Sequence, residues 1–461
     1  MSLFGALSVG ARGLAVASAG IDVTSQNVTG ARTPGFTRRS LRTQQMAPVQ
    51  QGALFVGQGA YAAGVTRATD RLLGVRLVDA TGAESASSTL SRQLSGVEGY
   101  FDATNTTGLG ESLDLVFDAL GSATADPSDA SQRQAVVHAM TSFASTVARI
   151  ADGLQDAMTG AEEELGASLD AVNDALAEVA ELNAAIGHSG AASGPADLLD
   201  RRDQLLRELA SSVGATAELK ADGQAVVYVA GHVAAGLGDY RPLSLSENAA
   251  GEPVVSIGMD GGTFDITGEV GGAVGGLVAA RSRMSGWADD LDEFAFTVGS
   301  AFNTQNALGF DASGAAGSDL FDVGASASGA AAGLTVSAAV QDDASLLAFA
   351  GAATARAGDG VNLEALLALE DDATLFADGT ARAAASAIVA DVGTAVAAAD
   401  SDSEAQAALL SDLETLRESI SGVNTDEEAT HLLEYQAAYR ASAKVLSAAD
   451  ELLRTLLQLG G

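Results

Sequence analysis

The chain has no cysteine among its 461 residues. Disulfide bonds, thiolate zinc sites and cysteine nucleophiles are therefore excluded together. Aromatic residues are also scarce, at 5%, whereas hydrophobic residues reach 47%. Because alanine, leucine and valine must then fill most of the interior, closely packed helices are favoured over an aromatic-rich β core.

Basic residues are few. Lysine and arginine total 24 against 60 acidic residues, which gives a net charge of −36. A chain this acidic is repelled by nucleic acid phosphates and by anionic membrane surfaces, so neither is expected as a partner. The acidity is best interpreted as keeping an alanine-rich surface soluble. Adaptation to salt, or cation binding between packed subunits, remains a second interpretation.

The N-terminal sequence MSLFGALSVGARG lacks a basic segment, a long apolar stretch and a small-residue cleavage site. No cleavable secretory signal is predicted from it. There is also no run of 18 or more consecutive apolar residues, so the sequence predicts no membrane insertion.

The two ends of the chain carry the strongest helical periodicity. Residues 4–28 and roughly 427–457 each repeat apolar or small residues in alternating steps of three and four, the seam of a coiled coil. The first helix ends before the turn Thr33-Pro34-Gly35, where proline cannot continue the helix. The residues predicted to form the subunit-packing seam are Phe4, Leu7, Leu14, Ile21 and Val28 in the first helix and Leu432, Tyr435, Tyr439, Leu446, Leu453 and Leu456 in the last.

A single partner helix stabilises such an end only marginally. Burying the five large residues of the first seam contributes roughly 8–15 kcal/mol. Ordering some 25 residues costs on the order of 25–50 kcal/mol of backbone entropy, which helical hydrogen bonds only partly offset. We therefore expect both ends to fray in the free monomer and to order when many copies pack together. The alternative is that the two helices simply pair within one chain.

The middle of the chain is mainly helical with one β-rich insertion. Helices are predicted over residues 70–100, 112–120, 162–186 and 276–306, among others, and a proline at 127 is expected to open another. Hairpin signals at residues 221–223 and 260–262 mark the insertion. The predicted divisions are 1–45 and 425–461 as an inner coiled-coil domain, 46–214 and 273–424 as a helical body, and 215–272 as a small outer β-rich insertion. The fold class is thus mainly α, elongated and multi-domain.

The string Ser25-Gln-Asn-Val-Thr-Gly-Ala-Arg-Thr-Pro-Gly-Phe-Thr-Arg38 closely resembles the signature of the flagellar rod, hook and hook-associated protein family. The closing helix resembles the same family. Gly30 and Arg32 stand where the family usually has asparagine, and Thr425 stands where leucine is common. The residues that match the signature are Asn27, Pro34, Gly35, Phe36 and Arg38.

Two internal strings, at residues 197–206 and 302–314, resemble the hook-associated members more than the hook or rod members. The resemblance implies a homo-oligomeric ring at the distal end of the hook, joining the hook protein to a second hook-associated protein at the junction with the filament. It also implies export through the flagellar type III channel without cleavage, with a cytoplasmic chaperone covering the last helix. The chain looks short for the family, which predicts a reduced outer domain.

Nothing in the sequence supports catalysis. The four histidines show no metal-ligand spacing, and no dinucleotide fingerprint, P-loop or nucleophile elbow is present. Residues 311–314 faintly resemble a calcium loop but lack its glycine position and closing glutamate. No enzyme activity, cofactor or metal is expected. The alternatives are a hook or distal-rod subunit of the same family, a secreted enzyme on a helical scaffold, and an adhesin.

Overall fold

The computed structural model describes residues 3–33, 35–51, 54–101, 108–188, 195–355, 358–377 and 379–459. It is 64% helical and 14% strand, which confirms the mainly α class. The helices are α1 Leu3–Gly30, α2 Arg71–Glu98, α3 Leu109–Ala123, α4 Ala130–His188, α5 Ala196–Val213, α6 Gly272–Ala307, α7 Ala330–Gly333, α8 Ala338–Asp342, α9 Val361–Leu367, α10 Ala381–Ser421 and α11 Thr425–Leu459. Short 3₁₀ turns cover Ala344–Leu346 and Ala368–Asp371.

The strands are β1 Arg39–Gln45, β2 Val49–Gln51, β3 Leu54–Val56, β4 Ala60–Arg67, β5 Thr216–Leu219, β6 Ala225–Val229, β7 His232–Ala235, β8 Leu243–Glu247, β9 Pro253–Met259, β10 Gly262–Asp265, β11 Phe321–Asp322 and β12 Thr335–Val336. Within the described ranges they form five small antiparallel sheets. Two lie between α1 and α2 (β1 with β4, β2 with β3), two lie in the predicted insertion (β5-β6-β7 and β10-β9-β8), and β11 pairs with β12.

The molecule is elongated around one long helix. Helix α4 has 59 residues and is therefore about 90 Å long at 1.5 Å per residue. The chain exposes 22824 Å² of surface, whereas a compact monomer of this mass exposes about 16,000 Å². The body is a bundle in which α4 packs against α3, α5 and α6, while α2 packs against α5, α6 and α10.

Several predicted elements were placed wrongly. Pro127 does not open a helix, because Asp126 and Asp129 form successive polar turns, with Asp126 Oδ1 accepting from Ser128 N at 3.0 Å and Asp129 Oδ1 from Ser131 N at 2.7 Å. Helix α4 then runs without a break through Gly160, where separate helices were expected. The hairpin of β1 and β4 was not predicted, and residues 347–355 are irregular where a mostly helical segment was expected.

The β-rich insertion was predicted correctly, and it is attached to α4 by two asparagines. Asn173 Oδ1 accepts from Leu243 N at 2.8 Å, and its amide donates to Leu243 O at 2.9 Å. Asn183, which is fully buried, bonds the backbone of Ala225 in the same two-sided way and also donates to Gly236 O. These pairs satisfy strand backbone groups that would otherwise lack partners beside the helix.

Candidate assembly interface

Helices α1 and α11 form an antiparallel pair. Gly10 lies beside Leu446, Gly13 beside Ser442, and Gly20 beneath the ring of Tyr435, so the two helices run in opposite directions. The pairing of the chain ends that the sequence predicted is thus confirmed. It occurs within a single chain.

The face of α1 that meets α11 carries small and polar residues, and its backbone lies close to the partner side chains. It differs from the face with the large apolar residues. We call it the inner stripe, and its members recur in steps of three and four. They are Gly10, Gly13, Ala17, Gly20, Thr24 and Asn27.

The large apolar residues of α1 form what we call the outer stripe, which lies roughly a quarter of a turn away from the inner stripe at 100° per residue. Its two end residues are the most open, since Phe4 is 74% exposed and Val28 is 42% exposed. Between them, Leu7, Leu14 and Ile21 are only half-buried. In the single chain this stripe is incompletely covered.

The apolar seam of α11 faces α1. Leu432, Tyr435, Leu446 and Leu453 are half-buried, and Tyr439 is 39% exposed. Ala449, on the same face, is 3% exposed. Leu456 belongs to the helix, but its side chain lies outside the described residues.

We predict that Gly20→Ala destabilises the pair of terminal helices. A Cβ at Gly20 would overlap the Tyr435 ring, and such overpacking costs about 1–3 kcal/mol. Hydrogen exchange of the amides in α1 and α11 should become faster. The matched control is Gly160→Ala in α4, where no atom lies within 4 Å of the added Cβ, so a gain of up to about 1 kcal/mol is expected. Equal effects from the two variants would contradict the described contact.

The signature string folds into a turn that ties α1 to β1. Asn27 is 1% exposed. Its Oδ1 accepts from Arg39 N at 2.9 Å, and its Nδ2 donates to Arg39 O at 2.8 Å. This two-sided bond fixes the helix end to the first strand. Pro34, the next residue of the signature, lies outside the described residues.

Gly35 and Phe36 complete the turn. Gly35 has φ of +80°, a backbone conformation that residues with a Cβ rarely adopt. The ring of Phe36 lies on Gly30, where a Cβ would be 2.5 Å from the ring. Gly30, which departs from the family pattern, therefore makes room for this ring. The Arg39 guanidinium lies over the same ring, 4.9 Å from its centroid.

Arg38 connects this turn to the end of the chain. Its backbone N donates to Ser421 O at 3.0 Å, at the last residue of α10. Its guanidinium lies 3.6 Å from Glu427 in the first turn of α11. The signature turn therefore contacts both of the last two helices.

Helix α5 places three aspartates, Asp197, Asp200 and Asp203, against this turn. We call these aspartates and their partners Arg39 and Arg67 the clasp. Arg39 bonds Asp197 at 2.5 Å and Asp200 at 3.0 Å. Arg67 lies 2.9 Å from Asp200 and also bonds Asp203. Both arginine side chains are nearly buried, at 7% and 11% exposure. Burial acts to lower the pKa of Arg39, but the hydrogen bonds that Arg39 donates to Asp197 and Asp200 outweigh it, and the pKa is raised.

The clasp was missed in the sequence analysis, although the string at 197–206 was recognised. The available signal was the spacing of Asp197, Asp200 and Asp203, which places three carboxylates along one face of a helix. Their partners are distant in sequence: Arg39 lies 158 residues from Asp197, and Arg67 lies 136 residues from Asp203. Spacing alone does not identify partners so distant.

Other candidate chemistry is accounted for by structural roles. Within the described ranges, no group of three or more histidine, aspartate or glutamate residues could hold a metal ion. Asp311 Oδ1 accepts from Ser313 N at 2.8 Å and Ala315 N at 2.9 Å, so its carboxylate closes its own loop. These hydrogen bonds outweigh desolvation, and the pKa of Asp311 is lowered.

Two stretches are long and apolar enough to cross a membrane by length and composition: Leu3–Gly30, and a window within Ala381–Thr455. The prediction of no membrane insertion required 18 consecutive apolar residues, whereas these helices qualify because a few charges scattered among alanine and valine leave the mean hydropathy high. In the structure α1 packs on α11, and α10 packs on α2 and α6. Core helices of soluble proteins pass the same test, so the finding is weak support for a membrane role.

Two family models match the chain. The flagellar hook-associated protein FlgK helical domain matches residues 94–321, and the flagellar basal body rod FlgEFG protein C-terminal model matches residues 417–459. Flagellar hook-associated protein 1 of Escherichia coli is 25% identical, over 97% of this chain and 98% of that protein. The Bacillus subtilis protein of the same name is 26% identical, over 98% and 97%.

This chain belongs to the flagellar hook-associated protein 1 family. A structure described as the flagellar hook junction protein FlgK from Burkholderia pseudomallei shares the fold, with a TM-score of 0.67 and 17% identity. It covers 75% of this chain and 100% of that one. The alignment to the Escherichia coli relative spans 537 positions, more than the length of this chain, so that relative has residues which this family member lacks.

Proposed function

We propose that this protein is a structural subunit of the bacterial flagellum that forms the junction between hook and filament. The observation that carries the proposal is the nearly end-to-end match to hook-associated protein 1 from Escherichia coli and from Bacillus subtilis. No catalytic role is proposed, because the family is a structural one.

The outer stripe supports assembly with other copies. Large apolar residues left half-covered along a whole helix are an association surface, because covering each one contributes roughly 1.5–3 kcal/mol. On α11, Leu433, Leu452 and Leu457 are 67%, 57% and 73% exposed and extend the apolar surface of the pair. We propose that neighbouring copies in a ring cover these residues.

The hairpin tip between α1 and α2 offers a second apolar contact. Leu54 and Phe55 on β3 are 72% and 70% exposed, and Val49 on β2 is 49% exposed. The ribbon is held to α1 through the side chain of Arg12, which donates to Gln58 O at 2.6 Å. This position lets the tip reach a neighbour while α1 lies inside the ring.

In this proposal the inner domain comprises residues 1–45 and 425–461, the body 46–214 and 273–424, and the outer insertion 215–272. The inner domains meet the hook protein on one side and a second hook-associated protein on the other. A cytoplasmic chaperone covers the apolar side chains of α11 before export. Export proceeds through the flagellar type III channel without cleavage, and the assembled protein is extracellular.

Electron microscopy of cells that lack this gene tests the proposed function. We expect hooks without filaments, together with filament subunits shed into the medium, because no junction is present to retain them. Reintroducing the intact gene should restore filaments. Normal filaments in the deletion strain would refute the proposal.

A further inference from the structure

A cavity of about 340 Å³ lies beside the signature turn. Its walls come from the start of α2, from α5, from β5 and from the end of α10. Leu73, Leu77 and Leu206 form part of an apolar lining. The cavity therefore lies where the inner domain, the helical body and the β-rich insertion meet.

Basic residues are concentrated around this cavity. The whole chain has 24 lysines and arginines against 60 acidic residues, yet a quarter of the basic residues line this one space. Only three acidic residues, Asp70, Asp79 and Asp203, line it with them. The six basic residues are Arg67, Arg71, Arg202, Arg207, Lys220 and Arg417.

Three of these cations have partners. Arg67 and Arg202 both bond Asp203, and Arg71 donates to Leu219 O at 2.6 Å. Asp70 is also occupied, because its carboxylate caps α2 by accepting from Leu72 N and Leu73 N. The acidic residues of the lining are thus largely committed to neighbours.

Among the residues that the structure describes, the side chains of Arg207, Arg417 and Lys220 make no hydrogen bond or ion pair, although the backbone of Lys220 is bonded within its hairpin. Arg207 and Arg417 are half-buried. Burial lowers the pKa of Arg207, and the nearby Arg417 guanidinium lowers it further, against the opposing charges of Asp203 and Glu414. Because two positive side chains without ion-pair partners lie beside an apolar wall, the cavity favours the binding of an anion.

We propose that this cavity receives a carboxylate side chain, aspartate or glutamate, from a second copy of this chain, held between Arg207 and Arg417. The chain's own surface supplies the complementary charge, since its net charge is −36. Guanidinium groups bind carboxylates through two parallel hydrogen bonds. The apolar lining suits the methylene stem of the incoming residue. This inference rests on the proposed function, because it names one contact by which neighbouring copies assemble.

Lys220 gives a direct test, because the chain has only one other lysine, Lys444. Purified hooks are capped with an equal mixture of ¹⁴N- and ¹⁵N-labelled full-length chain. A carbodiimide is then added, which joins amines to carboxylates in contact. We expect mixed-isotope crosslinks from Lys220 to an acidic residue. Crosslinks from Lys220 that are always of one isotope would place any carboxylate within the same chain and overturn the inference.

Charge reversal provides the second arm. Arg207→Glu and Arg417→Glu should each weaken capping of hooks about tenfold, in the range expected for one interfacial charge pair, while circular dichroism of the free chain stays unchanged. The matched control is Arg283→Glu, an exposed arginine on α6, which should cap normally. Capping at wild-type strength by both cavity variants would overturn the inference.

Two further outcomes separate the possible failures. If the wild-type chain does not bind hooks at all, the proposed function fails, whatever the cavity does. If inorganic phosphate raises the melting temperature of the wild type but not of Arg207→Glu, and no mixed crosslink forms, the cavity binds a small anion and the second-copy inference is wrong.

Discussion

Replacing Leu14 and Ile21 together with aspartate is expected to abolish filament attachment while leaving the free chain folded. Both residues belong to the outer stripe and are only half-buried in the single chain, so the charges remain in contact with water before assembly. In the proposed ring the same positions would be covered by other copies, where two unpaired carboxylates would cost several kcal/mol. Filament counts by electron microscopy and circular dichroism of the purified variant measure the two effects.

The matched control for the double variant is Leu308→Asp, which introduces a charge at a position of the body where the leucine is 68% exposed. It should leave filaments attached. The outer stripe is a sharper target than Leu446, because Leu446 lies against Gly10 within the same chain and its loss would also disturb the monomer. Normal filaments from the Leu14→Asp, Ile21→Asp variant would remove the outer stripe from the assembly interface.

Asp200→Ala is expected to destabilise the folded chain by about 3 kcal/mol, whereas Asp197→Ala should cost less than about 1 kcal/mol. Asp200 is 13% exposed and pairs with both Arg39 and Arg67, which are themselves nearly buried. Removing it leaves two guanidinium groups without their shared partner. Asp197 bonds Arg39 as well, but it is 84% exposed, so water replaces it at little cost.

Urea unfolding of the two variants measures this difference as the free energy of unfolding. The pair is well matched, since both residues are aspartates one turn apart on α5 and both contact Arg39. Equal losses of stability would show that burial does not set the strength of the clasp. Asp200→Asn, which keeps the shape and one acceptor, should fall between them.

The sequence predicted that both chain ends are seamed helices and that they pair, but it did not identify which face of α1 is used. Periodicity detects large apolar side chains, so Phe4, Leu7 and Leu14 marked the outer stripe. The inner stripe depends on Gly10 and Gly20, which allow close packing because they have no side chain. A hydrophobic pattern does not detect such positions. The bulk needed for this contact comes from Tyr435 and Leu446 on the partner helix.

Local signals were reliable where the deciding contacts are local. The hairpins after Leu219 and Met259 formed where turn residues predicted them. Pro127 was misjudged because Asp126 and Asp129 form successive polar turns before and after it, so the helix begins only at Ala130. The clasp and the cavity could not be predicted, since each joins residues more than a hundred positions apart.

The signature turn near the N-terminus can complete its contacts only after residues near the C-terminus have been synthesised or exported. Arg39 in this turn bonds Asp197 on α5, which is 158 residues further along the chain. Arg38 contacts Ser421 and Glu427, which lie near the C-terminus. Contacts this distant in sequence form slowly, since the intervening chain must first be brought together. A chain that is still being synthesised or exported therefore cannot complete the contacts of this turn, and its N-terminal segment stays incompletely folded until almost the last residues are present.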